Sequence, residues 1–341
     1  MQIYLVTLCL VAQLDISGYV ETRPNLLWND SIHVAGYSRG WLELKTEGPD
    51  YGAQLALDLL MPYDTISFIY ATEKINISRL ALWLGPENMR VIVGKQKLYW
   101  GVARVFRPLD IFNPVNYFEP TYERAGTNAI IGYLALARLT SVRGVYIPQY
   151  DVEKSIGGLR IGTNVLKNDI GLNFMHQVSE EKTILGAEIA GELEIGYWGE
   201  FSYTWEDTVD YNRFTLGADY SFPFSLYAMV EYFFDGSGVS DPQYYDFTKI
   251  LQGERSTLAR HYIYSAIGRL ANPFDVIRPT VSALVNLDDR SVVIIPQVCV
   301  ALLENTDITV GLDYFVGSDE SEFTNIAPFD GAAYVWVKIY F

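Results

Sequence analysis

From its last residue backward, the chain alternates. Phe341, Ile339, Val337, Val335 and Ala333 fall on one face of an extended strand, and Tyr340, Lys338, Trp336 and Tyr334 on the other. Successive strand side chains point to opposite faces, so this period of two predicts a strand that ends on the terminal phenylalanine. The pattern recurs upstream. "GAQLALDLL" sets Ala53, Leu55, Leu57 and Leu59 against Gln54, Ala56 and Asp58. "SLYAMVEYFFD" sets Leu226, Ala228, Val230, Tyr232 and Phe234 against Tyr227, Met229, Glu231, Phe233 and Asp235. "RFTLGADYS" and "DITVGLDYF" behave likewise, and no helical period competes over a comparable length.

Eighteen such segments are expected, starting near residues 15, 38, 51, 76, 88, 129, 140, 156, 168, 182, 194, 211, 225, 260, 275, 291, 306 and 331. Their connections also alternate. The gaps after every second segment are short: "EGPD", "GPE", "LT", "LKN", "GEL", "FPF", "NPF" and "ENT". All the long ones, Met61–Ile75, Gly101–Asn128, Gly236–Ala259 and Gly317–Asp330, fall in the other set. Tight turns at one rim and long loops at the other, with an even strand number, predict an all-β, transmembrane antiparallel barrel of 16–18 strands, with short periplasmic turns and long extracellular loops. A soluble sandwich also alternates, but it seldom exceeds about nine strands, and a propeller needs repeated blades that this chain lacks.

Composition narrows the reading. Half of the 341 residues are hydrophobic, with 25 Tyr, 17 Phe and 7 Trp, yet no apolar run after the N-terminus is long enough for a helical span. Asp and Glu outnumber Lys and Arg by 41 to 25, a formal charge of −16, which argues against nucleic acid as a partner. Two cysteines, Cys9 and Cys299, make neither a disulfide scaffold nor a metal framework. Residues 1–13 hold an apolar stretch from Ile3 to Ala12 with no basic residue before Arg23, and read as a clipped or atypical signal peptide. An ordinary first strand or short helix is the other reading. Residues 14–341 then form a single barrel domain.

Several stretches carry a resemblance. The terminal Phe341, with Ile339 and Val337 on its face, resembles the signal read by the barrel-assembly machinery of Gram-negative outer membranes. "VGKQKLYWG" followed by "DIFNP", "VEYFFDG" and "NLDDRSVVIIPQV" resemble a porin-like family of outer-membrane barrels, many uncharacterised and some likened to alginate-export channels. The resemblance implies residence in the bacterial outer membrane, among its lipid and lipopolysaccharide, and no cofactor.

With the less apolar face of each strand turned inward, the expected acidic lumen groups are Glu21, Glu43, Asp58, Asp169, Glu188, Glu200, Asp219, Glu231 and Asp313. The basic ones are Lys45, Arg79, Lys95, Lys97, Arg160, Arg213, Arg269, Arg278 and Lys338. The two sets nearly cancel, so the acidic excess belongs to loops and turns, and cross-strand pairing accounts for most of the wall. In "RVIVGKQKLYW" the lysines are turned inward and Gln96 is left near the outer rim, because a lysine at the bilayer midplane costs about 2–4 kcal/mol.

The connection 101–128 is rich in proline and aromatic rings, which fully solvated loops seldom hold. It is expected to fold inward and narrow the channel, with Arg104, Arg107, Asp110, Glu119, Glu123 and Arg124 as its polar groups. Packing over the outer rim is the alternative. Chemistry is sparse: His33, His176 and His261 are scattered, and there is no G-x-S-x-G or H-E-x-x-H pattern. The expectation is a porin passing small hydrophilic solutes or ions, with no metal and no enzymatic role. The other reading is a sheath for a partner, such as a periplasmic multihaem cytochrome conduit or a polysaccharide export complex. No C-x-x-C-H is present for covalent haem in this chain.

Overall fold

The computed structural model describes residues 14–63, 75–112, 126–207, 209–252, 254–269, 276–327 and 329–341. The stretch 1–13, read above as a signal remnant, lies outside the described residues. The first nine strands are β1 (Leu14–Trp28), β2 (Ile32–Glu47), β3 (Tyr51–Pro62), β4 (Ile75–Leu84), β5 (Met89–Gln96), β6 (Thr127–Ala137), β7 (Thr140–Ile147), β8 (Ile156–Val165) and β9 (Asn168–Gln177). The second nine are β10 (Lys182–Glu192), β11 (Gly196–Trp205), β12 (Tyr211–Ser221), β13 (Leu226–Asp235), β14 (His261–Arg269), β15 (Ile277–Asn286), β16 (Val292–Leu303), β17 (Thr306–Val316) and β18 (Gly331–Tyr340). Each is antiparallel to the next, and β18 pairs back onto β1, so one eighteen-stranded sheet closes on itself. At the seam the Gly18 and Phe341 main chains exchange hydrogen bonds of 2.9 and 3.0 Å.

The expected strand starts fall within two residues of the observed ones, except for β2, which begins at Ile32 rather than near 38. Gly36 carries the ladder through this region. It pairs with Pro24 at φ 147°, and a Cβ there would stand 2.3 Å from the Arg23 carbonyl oxygen. Among the described residues one rim has tight connections, including 48–50, 138–139, 166–167 and 304–305. Leu166 and Lys167, at φ 52° and 66°, make the doubly left-handed turn that suits the twist of a two-residue hairpin. The expected "NPF" turn falls in 270–275, outside the described residues. The other rim carries the long connections, together with short ones at 29–31 and 178–181.

Burial is inverted relative to a soluble sheet. On β1, Leu14, Ile16, Val20 and Leu26 are exposed, while Glu21, Arg23 and Asn25 are buried. On β17, Val310 is 53% exposed and its neighbour Thr309 is buried. Only an apolar solvent makes that arrangement favourable, since each fully buried aliphatic side chain otherwise contributes about 1.5–3 kcal/mol. The outward stripe is therefore the lipid-facing surface. Val335, Ile339 and Phe341 lie on it, with Val337 half-buried in the same register.

Inward, opposite charges pair across strands. Arg39 grips Asp58 through two 2.7 Å hydrogen bonds. Arg79 reaches Glu43 at 3.1 Å, Arg278 reaches Asp307 at 2.7 Å, and Lys338 reaches Glu21 at 3.5 Å. Cys299, opposite Arg278 on β16, is one of the small residues of this inner wall.

Two expected lumen residues take the other face. Met89, Val91 and Val93 turn to lipid and fix the parity of β5, so Lys95 falls on the outward register opposite Leu80, and Gln96 is buried inside. Lys95 is the penultimate residue of its strand, near the long-loop rim where the cost of a lysine is small. There its ammonium donates to Asn76 Oδ1 at 3.1 Å. Arg269 pairs with Leu226 on the outward register and ends β14 at the tight-turn rim. Both corrections have one cause: a strand end reaches the headgroup zone, where polarity no longer reports the face. Val310→Arg, by contrast, places a cation in the middle of the outward stripe. It should lower unfolding free energy in lipid vesicles by about 2–4 kcal/mol, read by denaturant titration. A change below about 0.5 kcal/mol, typical of water-exposed sites, would mean that this face is not in lipid.

Candidate channel constriction

After Gln96 the chain leaves the sheet and turns into the barrel. Leu98, Trp100, Leu109 and Phe112 pack on Ala129, Ile131, Val145, Ile147, Met175 and Ile184, the inward residues of β6, β7, β9 and β10. Phe106 packs farther round, against Phe233, Tyr262, Leu284 and Val293 of β13 to β16, with its ring stacked at 4.8 Å on Phe233. Residues 98–112 thus lie along the inner wall over part of the circumference. Gly101, at φ 90°, permits the approach; a Cβ there would sit 2.2 Å from the Glu200 carboxylate.

Two wall carboxylates hold the main chain of this segment. Glu200 on β11 accepts the Val102 and Ala103 N–H groups, the latter at 2.5 Å. Glu231 on β13 accepts those of Arg104 at 2.9 Å, Val105 at 3.0 Å and Phe106 at 2.6 Å. Trp198 Nε1 donates to the same Glu231 at 2.6 Å. The Thr215 hydroxyl donates to the Phe106 carbonyl at 2.8 Å. Buried N–H groups cost roughly 1–3 kcal/mol each when left unmade, so these contacts decide where the segment can lie.

The side chains of the segment divide by accessibility. Arg104 is 46% exposed, lies 4.3 Å above the Trp198 ring, and is held by Asp219 and the Tyr227 hydroxyl. Arg107 donates to the Ala103 carbonyl at 2.8 Å and stands 4.0 Å from Asp110, whose carboxylate is buried. Lys97 is half-buried just past the end of β5. Glu119, Glu123 and Arg124 lie outside the described residues. On the wall, Arg213 pairs with Asp235 at 3.0 Å. Glu231 faces inward as expected but is fully buried, so it acts on the segment and not on the passage.

A second group of contacts lies at the long-loop end of β14 to β18. The short helix Glu322–Ile326 buries Glu322 and Phe323. The Glu322 carboxylate accepts from Leu258 N–H at 2.8 Å, Asn286 Nδ2 at 2.7 Å and the Tyr262 hydroxyl. Burial nonetheless pushes this carboxyl from 4.5 up to about 7, outweighing the three donors. Trp198, Thr215 and Glu322 had no signal in the sequence beyond strand parity or turn composition. Each matters through partners tens to more than a hundred residues away.

Among the described residues no group of three or more His, Cys, Asp or Glu is placed to hold a metal. His33 bonds Ser31, His176 bonds Thr183 and His261 bonds Tyr232, each with a hydroxyl.

A closed, lipid-facing barrel with a polar inner wall and an inserted segment defines a class, the porin-type outer-membrane barrel. No family model and no curated protein matches this chain. Solved structures place the fold. OccK9 (OpdG) of Pseudomonas aeruginosa superposes with a TM-score of 0.67 over 96% of this chain and 98% of its own, at 9% identity. OprD of the same organism gives 0.62 over 96% and 94%, at 8% identity. Escherichia coli Wzi, an outer-membrane protein involved in group 1 capsule assembly, gives 0.64 over 99% and 86%, at 11% identity. The likeness is one of fold.

The raised Glu322 carboxyl makes a pH prediction. The folded rim holds a proton that the unfolded chain releases near 4.5, so its contribution is full below that value and lost as pH rises through about 7. Amide exchange at 318–326, corrected for intrinsic rate, should show weaker protection at about pH 8 than at about pH 5. Glu322→Gln should flatten the difference; an unchanged pH dependence in that variant would place the titrating group elsewhere.

Proposed function

We propose that this chain is an outer-membrane channel through which small hydrophilic solutes or ions diffuse passively. The observation that carries the reading is the asymmetry of the interior. Segment 98–112 is seated on the walls of β6 to β16. The polar faces of β17, β18 and β1 to β4 carry cross-strand ion pairs such as Lys338–Glu21 and Arg39–Asp58. A filled core has no use for such a wall, and a barrel of this strand number is wide enough for water. The constriction is then made by Arg104 and Arg107, with Asp110 behind them. Glu119, Glu123 and Arg124 belong to the same connection and are carried as further candidates. Because Asp110 is buried, the accessible charge of the segment is positive, and anions are the favoured ions.

The likeness to Wzi, described as a carbohydrate-binding barrel, supports a second reading in which the barrel serves a polysaccharide assembly and a partner completes it. Copurification of a stoichiometric partner from native membranes would favour that reading.

Planar bilayers test the channel directly. The purified barrel should give stepwise conductance with an anion preference, and its absence at every voltage would end the passive-channel reading. Arg104→Glu should move the permeability ratio toward cations while the folded barrel keeps its heat-modifiable mobility on gels. Charges more distant than about 8–10 Å are screened, so the one at the narrowing should dominate. An unaltered ratio would place Arg104 outside the passage.

A further inference from the structure

We propose that Glu231 is a positioning residue for this channel, a carboxylate that the solute never meets and that fixes where Arg104 stands. The proposal rests on the channel reading above. Glu231 Oε2 accepts both the Arg104 N–H at 2.9 Å and Trp198 Nε1 at 2.6 Å. Trp198 is the ring on which the Arg104 guanidinium lies, at 4.3 Å. One oxygen therefore sets the root of the Arg104 side chain and also the surface its tip rests on. The other oxygen takes Val105 and Phe106, which tie the next residues of the segment to the same wall.

An ionised carboxylate offers about four acceptor sites, and four donors fill them here. Glu231 is also 0% exposed. It has no capacity left to bind a permeating cation, and its charge is directed into main-chain and indole N–H groups. This separates the proposal from the simpler idea of an acidic lumen charge. The two make opposite predictions for Glu231→Gln. Removing a mere lumen charge makes the interior more positive and raises anion preference. Removing a positioning group presents an amide NH2 to main-chain donors, so part of the clamp opens and Arg104 leaves its place. Anion preference then falls toward that of Arg104→Ala.

Thr215→Val is the companion variant. It deletes the hydrogen bond to the Phe106 carbonyl without changing any charge. Both variants are made in the full chain with Cys9 and Cys299 replaced by serine and Val105 replaced by cysteine. Maleimide labelling in liposomes reads the seating of the segment, and planar bilayers read permeation.

Labelling at position 105 should be faster by about tenfold in Glu231→Gln, the order expected from losing buried hydrogen bonds, and faster to a lesser degree in Thr215→Val. Anion preference should fall in both. Labelling at the parent rate in Glu231→Gln, or a rise in its anion preference, overturns the proposal. If Glu231→Gln does not fold, Thr215→Val decides by the same readouts, and parent-like labelling and selectivity overturn it. If the parent barrel conducts nothing, the channel reading fails by itself, and labelling still shows whether the wall carboxylate seats the segment.

Discussion

Every backbone N–H and C=O that faces hydrocarbon must find its partner within the protein, and this constraint orders the rest of the structure. Water is absent to compensate an unpaired group, so a sheet in lipid has to close. Here closure is the antiparallel ladder between β1 and β18, from Trp28–Gly331 to Tyr19–Tyr340, which Gly18 and Phe341 extend by two main-chain hydrogen bonds. Once the sheet is closed, alternation has only one meaning: one face belongs to lipid and the other to the interior. The inverted burial of β1 and β17 follows, and so do the ion pairs inside. A guanidinium such as Arg39, cut off from bulk water by its neighbours, finds in the forked contact to Asp58 the acceptors and the opposite charge that burial would otherwise deny it.

The inserted segment is a second solution to the same requirement. Residues 101–107 belong to no helix or strand, so their N–H groups have no ladder to join. The wall supplies acceptors instead, in the form of Glu200 and Glu231. Apolar contacts on both sides, Trp100 and Leu109 toward β6 to β10 and Phe106 toward β13 to β16, exclude the water that would compete for those bonds. Carboxylates are strong acceptors, and they are stronger where the surroundings are dry. The polar clamp and the aromatic packing reinforce each other.

Most of the barrel is legible in the sequence because strand alternation is local. "AAYVWVKIYF" states its two faces within ten residues, and the tight turns state their rim. Legibility fails at strand ends, where Lys95 and Arg269 sit in a zone that tolerates polar groups on either face. It fails again at β2, which begins at Ile32 and not near 38, with Gly36 carrying the ladder opposite Pro24 of β1. The interior is harder. Aromatic and proline content marks the connection after β5 as unlike a solvated loop, but nothing local says that Glu200 and Glu231 are its anchors. Their partners lie about a hundred residues away in sequence, and on the strands the two look like any other inward acid.

The clamp also bears on how such a barrel can diversify. Both wall carboxylates grip main-chain N–H groups, which every residue except proline possesses. The identity of Arg104, whose side chain is largely exposed, is therefore not fixed by the main-chain contacts that hold it, whereas Ala103 is buried and Val105 packs on the wall. A lineage can exchange Arg104 for an acid, an amide or an aromatic and keep the segment in the same place, because its seat is written on β11 and β13. Architecture and preference are stored in different parts of the chain, and the second can drift while the first is conserved by geometry.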